Sequence, residues 1–217
     1  MIGEFFIIRG KIRKCIRDIF AGSKDKILDI GSGKKPHYHK FMKGKIVCFD
    51  MNNHKKTHIV GHADFLPFKK NSFDKMIMVN SLYYFDNPFE VIKTVSKILK
   101  KKGTLVILTP FLYPIHDAPQ DKYRFTEYGM RQLLKEDFQI KEIKTFGGIF
   151  NLPAVFFHSL IKGIPLMFPK SVRKIISFFS IILLYPFYIL AQLLSLLDFL
   201  DKTKRWPTYY LTVAVKR

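Results

Sequence analysis

Residues 26–33 read KILDIGSG, and residues 46–50 read IVCFD. The first stretch is a short apolar run that ends in two glycines. The second is another apolar run that ends in an acid. Short apolar runs closed by turn chemistry predict buried strands, here Lys26–Ile30 and Ile46–Asp50. Working outward, His58–Val60 is a weak third strand, Lys75–Asn80 (KMIMVN) a fourth and Thr104–Thr109 (TLVILT) a fifth. Asn87 and Pro88 open a helix in which Phe89, Ile92, Val95, Ile98 and Leu99 recur at helical spacing. The run Lys100–Lys102 followed by Gly103 reads as that helix's C-terminal end. Thr126 caps a helix over Glu127–Glu136, Phe138–Phe146 alternates as a strand, and Tyr209–Val215 alternates again. Strands alternating with helices predict an α/β fold with a mostly parallel sheet. Such sheets bind ligands beyond the carboxyl ends of their strands, so the chemistry belongs there.

The turn after the first strand is not a phosphate cradle. GxxxxGK[ST] is absent, and Pro36 stands where a GxGxxG fingerprint needs its third glycine. Asp29, two residues before Gly31, would repel a pyrophosphate but can accept hydrogen bonds from an ammonium. Asp50, 21 residues after Asp29, ends the second strand, where a carboxylate can take both ribose hydroxyls. Gly31 and Gly33 let the backbone come close to the ligand. Acid, glycine, glycine, then acid suits a nucleoside that carries an amino acid, namely S-adenosylmethionine.

The stretch from about Lys26 to Pro153 resembles the class I S-adenosylmethionine-dependent methyltransferases, in particular small ones found among surface-polysaccharide biosynthesis enzymes. ILDIGSG (27–33) is similar to their first motif, and GHADFLPFKKNSFDKMIMVNSLYYFDNP (61–88) to the block that follows the second strand. ILKKKGTLVILTPF (98–111) resembles the turn into the fifth strand, and PFLYPIHDAPQDKYRFTEYGMRQLL (110–134) the substrate-side signature. The resemblance implies a Rossmann-like methyltransferase fold with an antiparallel last strand. It also implies cofactor contacts from Asp29, Gly31, Gly33, Asp50, Ala63, Asp64 and Asn80. Three positions depart from the family pattern. Lys35 replaces a third glycine. His62 stands where an acid usually meets the adenine amino group, leaving Asp64 or the Ala63 backbone to serve. Tyr83 and Tyr84 replace a usual Glu-His pair.

The loop after the fifth strand carries Tyr113, His116, Asp117, Asp121, Tyr123 and Arg124 ahead of Thr126. Methyl transfer is mainly a matter of orientation, with deprotonation when the nucleophile is a hydroxyl. His116 is the expected general base, with Asp117 or Asp121 to orient it. Arg124 is expected to hold a carboxylate or phosphate bidentately, with Tyr113, Asp117 and Tyr123 beside the acceptor. A purely structural alternative stays open, in which His116 and Asp121 only tie down the loop. The remaining histidines match no zinc spacing, and no metal is expected.

The rest of the composition points to a surface. The chain has 217 residues, 37 Lys and Arg against 17 Asp and Glu, a net charge of +20, and 48% hydrophobic residues. Disorder is excluded, because 22 Phe and 10 Tyr demand burial. Two cysteines exclude a disulfide scaffold and suit a reducing compartment. Between Phe146 and Leu200 only Lys162, Lys170, Arg173, Lys174 and Asp198 are charged, and Ile175–Leu197 is a run of 23 residues without a charge. As a helix that run reaches about 35 Å, enough for a bilayer core of roughly 30 Å. Pro186 at its centre and a final strand that must rejoin the sheet oppose a crossing. Monotopic insertion, helical cover or a homodimer interface, and a transmembrane span are the three readings.

The expected organisation is a basic amphipathic helix over 1–25, a methyltransferase domain over 26–146 and 206–217, and an apolar helical insertion over 147–205. The helix at 4–20 suits either packing on the domain edge or a membrane surface. Charge interrupts it, so it is not a secretory signal. The expected activity is O-methylation of a glycan or lipid-linked intermediate by a cytoplasmic enzyme on the inner face of the cell membrane. RNA methylation, which the charge favours, and a non-catalytic cofactor-binding scaffold are the alternatives.

Overall fold

The computed structural model describes residues 6–22, 24–34, 36–115 and 117–217. Seven strands form one sheet: β1 (Lys26–Ile30), β2 (Lys45–Asp50), β3 (Ile59–Val60), β4 (Phe73–Val79), β5 (Leu99–Pro110), β6 (Phe138–Phe146) and β7 (Tyr209–Lys216). Their spatial order is β3-β2-β1-β4-β5-β7-β6. The pairs β1–β2, β1–β4, β2–β3 and β4–β5 are parallel. β7 lies antiparallel to β5, with Thr104 opposite Val215 and Pro110 opposite Tyr209. The helices are α1 (Phe6–Phe20), α2 (Pro88–Ile98), α3 (Glu127–Leu134), α4 (Leu152–Gly163) and α5 (Arg173–Leu194). This is the Rossmann-like fold that the pattern of strands implies.

The period of two along the strands sorts the core. Leu28, Ile30, Met76, Met78, Leu105 and Ile107 bury one face of the sheet with Val91, Ile92 and Val95 of α2 and Met130, Leu133 and Leu134 of α3. The caps act as the sequence predicts. The Asn87 side chain accepts from Glu90 N at 3.3 Å, and Thr126 Oγ1 accepts from Gly129 N at 3.0 Å.

One expectation is corrected. Gly103 does not close α2. The helix ends at Ile98, and Leu99 already pairs with Phe73 in the sheet. Lys100–Lys102 bulge out before the register resumes at Lys75 opposite Thr104, with Lys102 at φ 62°. Gly103 is needed for space, because a Cβ there would sit 2.9 Å from the Asp74 carbonyl oxygen. In α1 the apolar stripe is turned inward, in line with the packing alternative: Ile8, Ile12, Ile16 and Phe20 are all buried. Pro186 lies inside α5, which runs on through it.

The chain divides into two compact units. One comprises Arg13–Phe111, Ile115–Lys144 and Tyr209–Arg217, and holds the sheet. The other comprises Met1–Ile12, Leu112–Pro114 and Thr145–Thr208. In this second unit α4 and α5 form an antiparallel hairpin. Phe157 stacks on Phe187 with centroids 5.7 Å apart, and His158 lies 6.0 Å from Tyr188. The two ends of the hairpin are clasped together. Thr208 N donates to the Phe146 carbonyl at 2.8 Å, and Asn151 Nδ2 donates to Thr208 Oγ1 at 2.6 Å.

Candidate active site

The carboxyl ends of β1, β2 and β4 open on a cavity of about 730 Å³, built entirely from the sheet-bearing unit. That volume suits a nucleoside-sized ligand. Gly31 leaves β1 at φ 74°, and a Cβ there would lie 2.3 Å from Ser81 Cβ. Ser81 in turn donates from Oγ to the Ile30 carbonyl at 2.7 Å. The first glycine is thus required by the approach of the β4 loop as well as by its dihedral angle. Gly33, at φ 65°, faces open space, and its N–H donates to Asp50 Oδ2 at 2.7 Å. Asn52 N donates to Asp50 Oδ1 at 2.8 Å. The acid at the end of β2 therefore binds both its own loop and the glycine loop. Each oxygen keeps further acceptor capacity for ribose hydroxyls.

Asn80, at φ 53°, lies in the cavity wall just past β4. Its backbone N–H is held by the Leu108 carbonyl at 2.9 Å, and its Oδ1 is buried without a partner among the described residues. An orphaned acceptor in a cavity wall fits a ligand with N–H donors. Ala63 also lines the cavity, whereas Asp64 does not. Asp64 Oδ2 pairs with His62 Nδ1 at 3.1 Å. His62, Asp64 and Asp86 bring ligand atoms within 4.8 Å of one another, but Asp86 is already paired with Lys122.

Asp29 lies beneath the site and is not part of its wall. Its carboxylate is fully buried, and Oδ2 meets Tyr38 Oη at 2.8 Å and His39 Nε2 at 2.5 Å. Burial pushes the carboxyl above its ordinary value, against the opposing pull of His39 and Tyr38. Tyr38, not Asp29, reaches the cavity. The other oxygen of Asp29, Oδ1, is buried without a partner among the described residues. Its place in the β1 register turns it toward the β1–β2 connection.

The acceptor loop is rearranged more deeply. His116 lies outside the described residues. Asp121, expected to orient it, is fully buried against Arg124, which reaches both carboxylate oxygens, one of them at 2.7 Å. Arg124 also donates to the Tyr123 carbonyl at 2.9 Å and lies over the Tyr83 ring. The fork expected to hold a substrate anion is engaged by the chain's own anion, because a buried carboxylate needs a partner. The Tyr123 hydroxyl donates to the Asp86 carbonyl at 2.9 Å, and its ring stacks on Phe125. Tyr113 belongs to the other unit, where it packs on His158. Of the expected acceptor residues, Asp117 alone among the described ones lines the cavity.

Tyr84 is the residue that the sequence undervalues. It lines the cavity and its hydroxyl donates to Asp117 Oδ2. Burial, and then the bond to Asp117, push its phenol up to about 12, so it stays a neutral donor at physiological pH. Gln120 and Lys122 complete this rim. The signal was present in the departure from Glu-His at positions 83 and 84, but its partner stands 33 residues away.

Residues 28–107 match the methyltransferase-domain family. No curated protein matches the chain at the level of sequence. Among solved structures, a 4+2 cyclase, SpnF, superposes with a TM-score of 0.61 at 13% identity, over 95% of this chain and 80% of its own. A putative methyltransferase from Bacillus halodurans C-125 superposes at 0.56 and 17% identity, over 95% and 98%. A complex of the Haloferax volcanii Trm112 methyltransferase activator with a putative methyltransferase gives 0.54 and 16%, over 99% and 98%. At these identities the likenesses carry the fold, and the cyclase is a reminder that one fold serves several reactions. The family match, joined to the glycine–acid site, carries the class. Residues 28–107 are thus a methyltransferase domain of the S-adenosylmethionine-dependent kind. Its cofactor is S-adenosylmethionine.

Proposed function

We propose that this methyltransferase O-methylates a glycan or lipid-linked intermediate at the cytoplasmic face of the cell membrane. The observation that carries the reading is that one cavity is lined by two sets of residues of different chemistry. Its lining includes Gly33, Asp50 and Asn80, and also Tyr84, Asp117, Gln120 and Lys122. The first set suits the cofactor. Asp50 takes the ribose hydroxyls, and the orphaned Asn80 Oδ1 accepts from the methionine ammonium. The second set brings a phenol bonded to a carboxylate, an amide, and a lysine paired with Asp86, a polar rim suited to a polyhydroxylated acceptor.

Bound S-adenosylmethionine supplies an electrophilic methyl group. The chain's residues have to orient the attacking hydroxyl and take its proton. His116, one residue before Asp117, is the proposed base. Tyr84, neutral at pH 7, holds Asp117 in place as an acceptor for a substrate hydroxyl. The charge-poor segment between Phe146 and Leu200 supports the membrane setting.

The test is mass spectrometry of lipid and glycan extracts from cells with and without the protein, followed by transfer with purified enzyme. A gain of 14 daltons in one glycan or lipid-linked species is expected. The same gain in RNA, with none in those extracts, would replace this acceptor with a nucleic acid.

A further inference from the structure

The helical hairpin is built inside out. On the side of α5 that packs inward lie Ser180, Tyr188, Ala191 and Gln192, followed by Ser195, all buried. Asn151, Ala154 and His158 are the buried residues of the limb it faces. Gln192 is fully buried, and neither of its amide atoms has a partner among the described residues. Outward, Phe179, Leu183, Phe187 and Leu190 stand 52–68% exposed. A helix folded against water puts glutamine and serine outside and leucine inside. Small and polar residues between helices, with large apolar ones outside, are the packing rule of helices in lipid.

The charges say how the hairpin meets lipid. Residues 145–208 hold seven basic side chains and two acidic ones. Lys170 and Lys174 are exposed at the hairpin tip, and Lys202, Lys204 and Arg205 are exposed at its base. Of the two acids, Asp201 is bonded to Ile149 N and Thr203. A second copy of the chain would bring like charges together at both ends of the apolar face. An anionic bilayer complements both clusters. The ends of the hairpin are clasped by Thr208 N and the Phe146 carbonyl, so it enters and leaves on one side. Two helices here are long and apolar enough to cross a membrane by length and composition. Crossing would leave Lys162, exposed within the 19-residue limb Ile149–Met167, inside the core at up to roughly 2.5–3.5 kcal/mol. Lying flat costs nothing of that kind. α5 then spans about 33 Å between two basic clusters that both stay among headgroups.

We propose that the α4–α5 hairpin is an in-plane anchor whose exposed α5 face, including Phe179, Leu183, Phe187 and Leu190, rests in the acyl boundary of an anionic bilayer. This anchoring holds whichever acceptor is methylated.

The test is flotation of the full chain with vesicles of phosphatidylcholine alone and of equal parts phosphatidylcholine and phosphatidylglycerol. Wild type is expected to float with the anionic vesicles, at least tenfold more than with the neutral ones, and to be only partly released by high salt. Leu183→Glu with Leu190→Glu should abolish flotation. Lys170→Glu with Lys174→Glu should weaken it at least tenfold. Calorimetric affinity for S-adenosylmethionine, measured on the same samples, reports separately on the methyltransferase site and on folding of its unit. A thiol probe on Lys170→Cys, with Cys15 and Cys48 replaced by serine, should be labelled from outside the vesicles. Labelling only from the lumen would overturn the flat anchor in favour of a span. Wild type that stays in the supernatant as a dimer, dissociated by Leu183→Glu, would overturn it in favour of a subunit interface.

Discussion

Replacing Asp50 separates two jobs that its carboxylate performs. Its side chain is 9% exposed and accepts from Gly33 N at 2.7 Å and Asn52 N at 2.8 Å. These are charge-assisted bonds, each worth about 1.5–3 kcal/mol when its partner is removed. Both donors open toward the cavity and regain water in the variant, so Asp50→Ala should lower the unfolding free energy by about 2–3 kcal/mol in total. The ribose hydroxyls lose their acceptor as well. That adds about 1–3 kcal/mol against binding, which is roughly a 5- to 150-fold rise in the dissociation constant for S-adenosylmethionine. Asp50→Asn keeps one acceptor oxygen and presents an NH₂ to one of the two backbone donors. It should fall between wild type and alanine in affinity, yet lie close to alanine in stability. Urea denaturation reads the first quantity and titration calorimetry the second. If Asp50→Ala loses stability and still binds the cofactor with wild-type affinity, the carboxylate is only a tie between two loops. The ribose assignment then fails.

Three further substitutions test other parts of the molecule. Gly31→Ala places a methyl group 2.3 Å from Ser81 Cβ at φ 74° and should abolish measurable cofactor binding, with Ser81→Gly in the same chain restoring part of it by calorimetry. Asp121→Asn leaves Arg124 without its buried anion and should cost about 2–4 kcal/mol in urea denaturation, whereas transfer per folded molecule should fall by less than tenfold if Asp121 does not touch substrate. Bonds from Lys100, and then from Lys26 N, hold the Asp74 carboxyl below its ordinary value. Its contribution is therefore present above the unfolded value near 3.9 and is lost as pH falls through the lower folded value. Asp74→Asn should cost about 1 kcal/mol at pH 7, discounted for exposure, and nothing once Asp74 is protonated, as unfolding measured from pH 7 down to 2 will show.

The acceptor loop shows where a linear reading stops. Asp117, Asp121 and Arg124 are all visible as chemistry-bearing residues in one loop, but nothing in their spacing tells which will face the cavity. Burial decides it. A carboxylate at 0% exposure takes the nearest guanidinium, and that removes Asp121 and Arg124 together from the cavity wall. Tyr84 gains its place through a bond across 33 residues, which no local pattern encodes. Asp29 is the opposite case: the residue expected to touch ligand is enclosed by Tyr38 and His39.

What the amino-acid order determined alone is whatever depends on near neighbours along the chain. Apolar runs closed by turn residues made β1, β2 and β4; Asn87 and Thr126 capped their helices; and Gly31, Gly33 and Asp50 marked the cofactor edge, since dihedral freedom and strand ends are local properties. Tertiary structure decided what depends on which surfaces meet. It moved Gly103 from a helix end to a crowded bulge, and it buried the stripe of α1. It also turned Ser180, Gln192 and Ser195 inward while leaving the leucines and phenylalanines of α5 outside. An uncharged run of 23 residues has the same composition whichever face it buries. Only the packing of α4 against α5 selects the face, because burial is a property of contacts between distant parts of the chain.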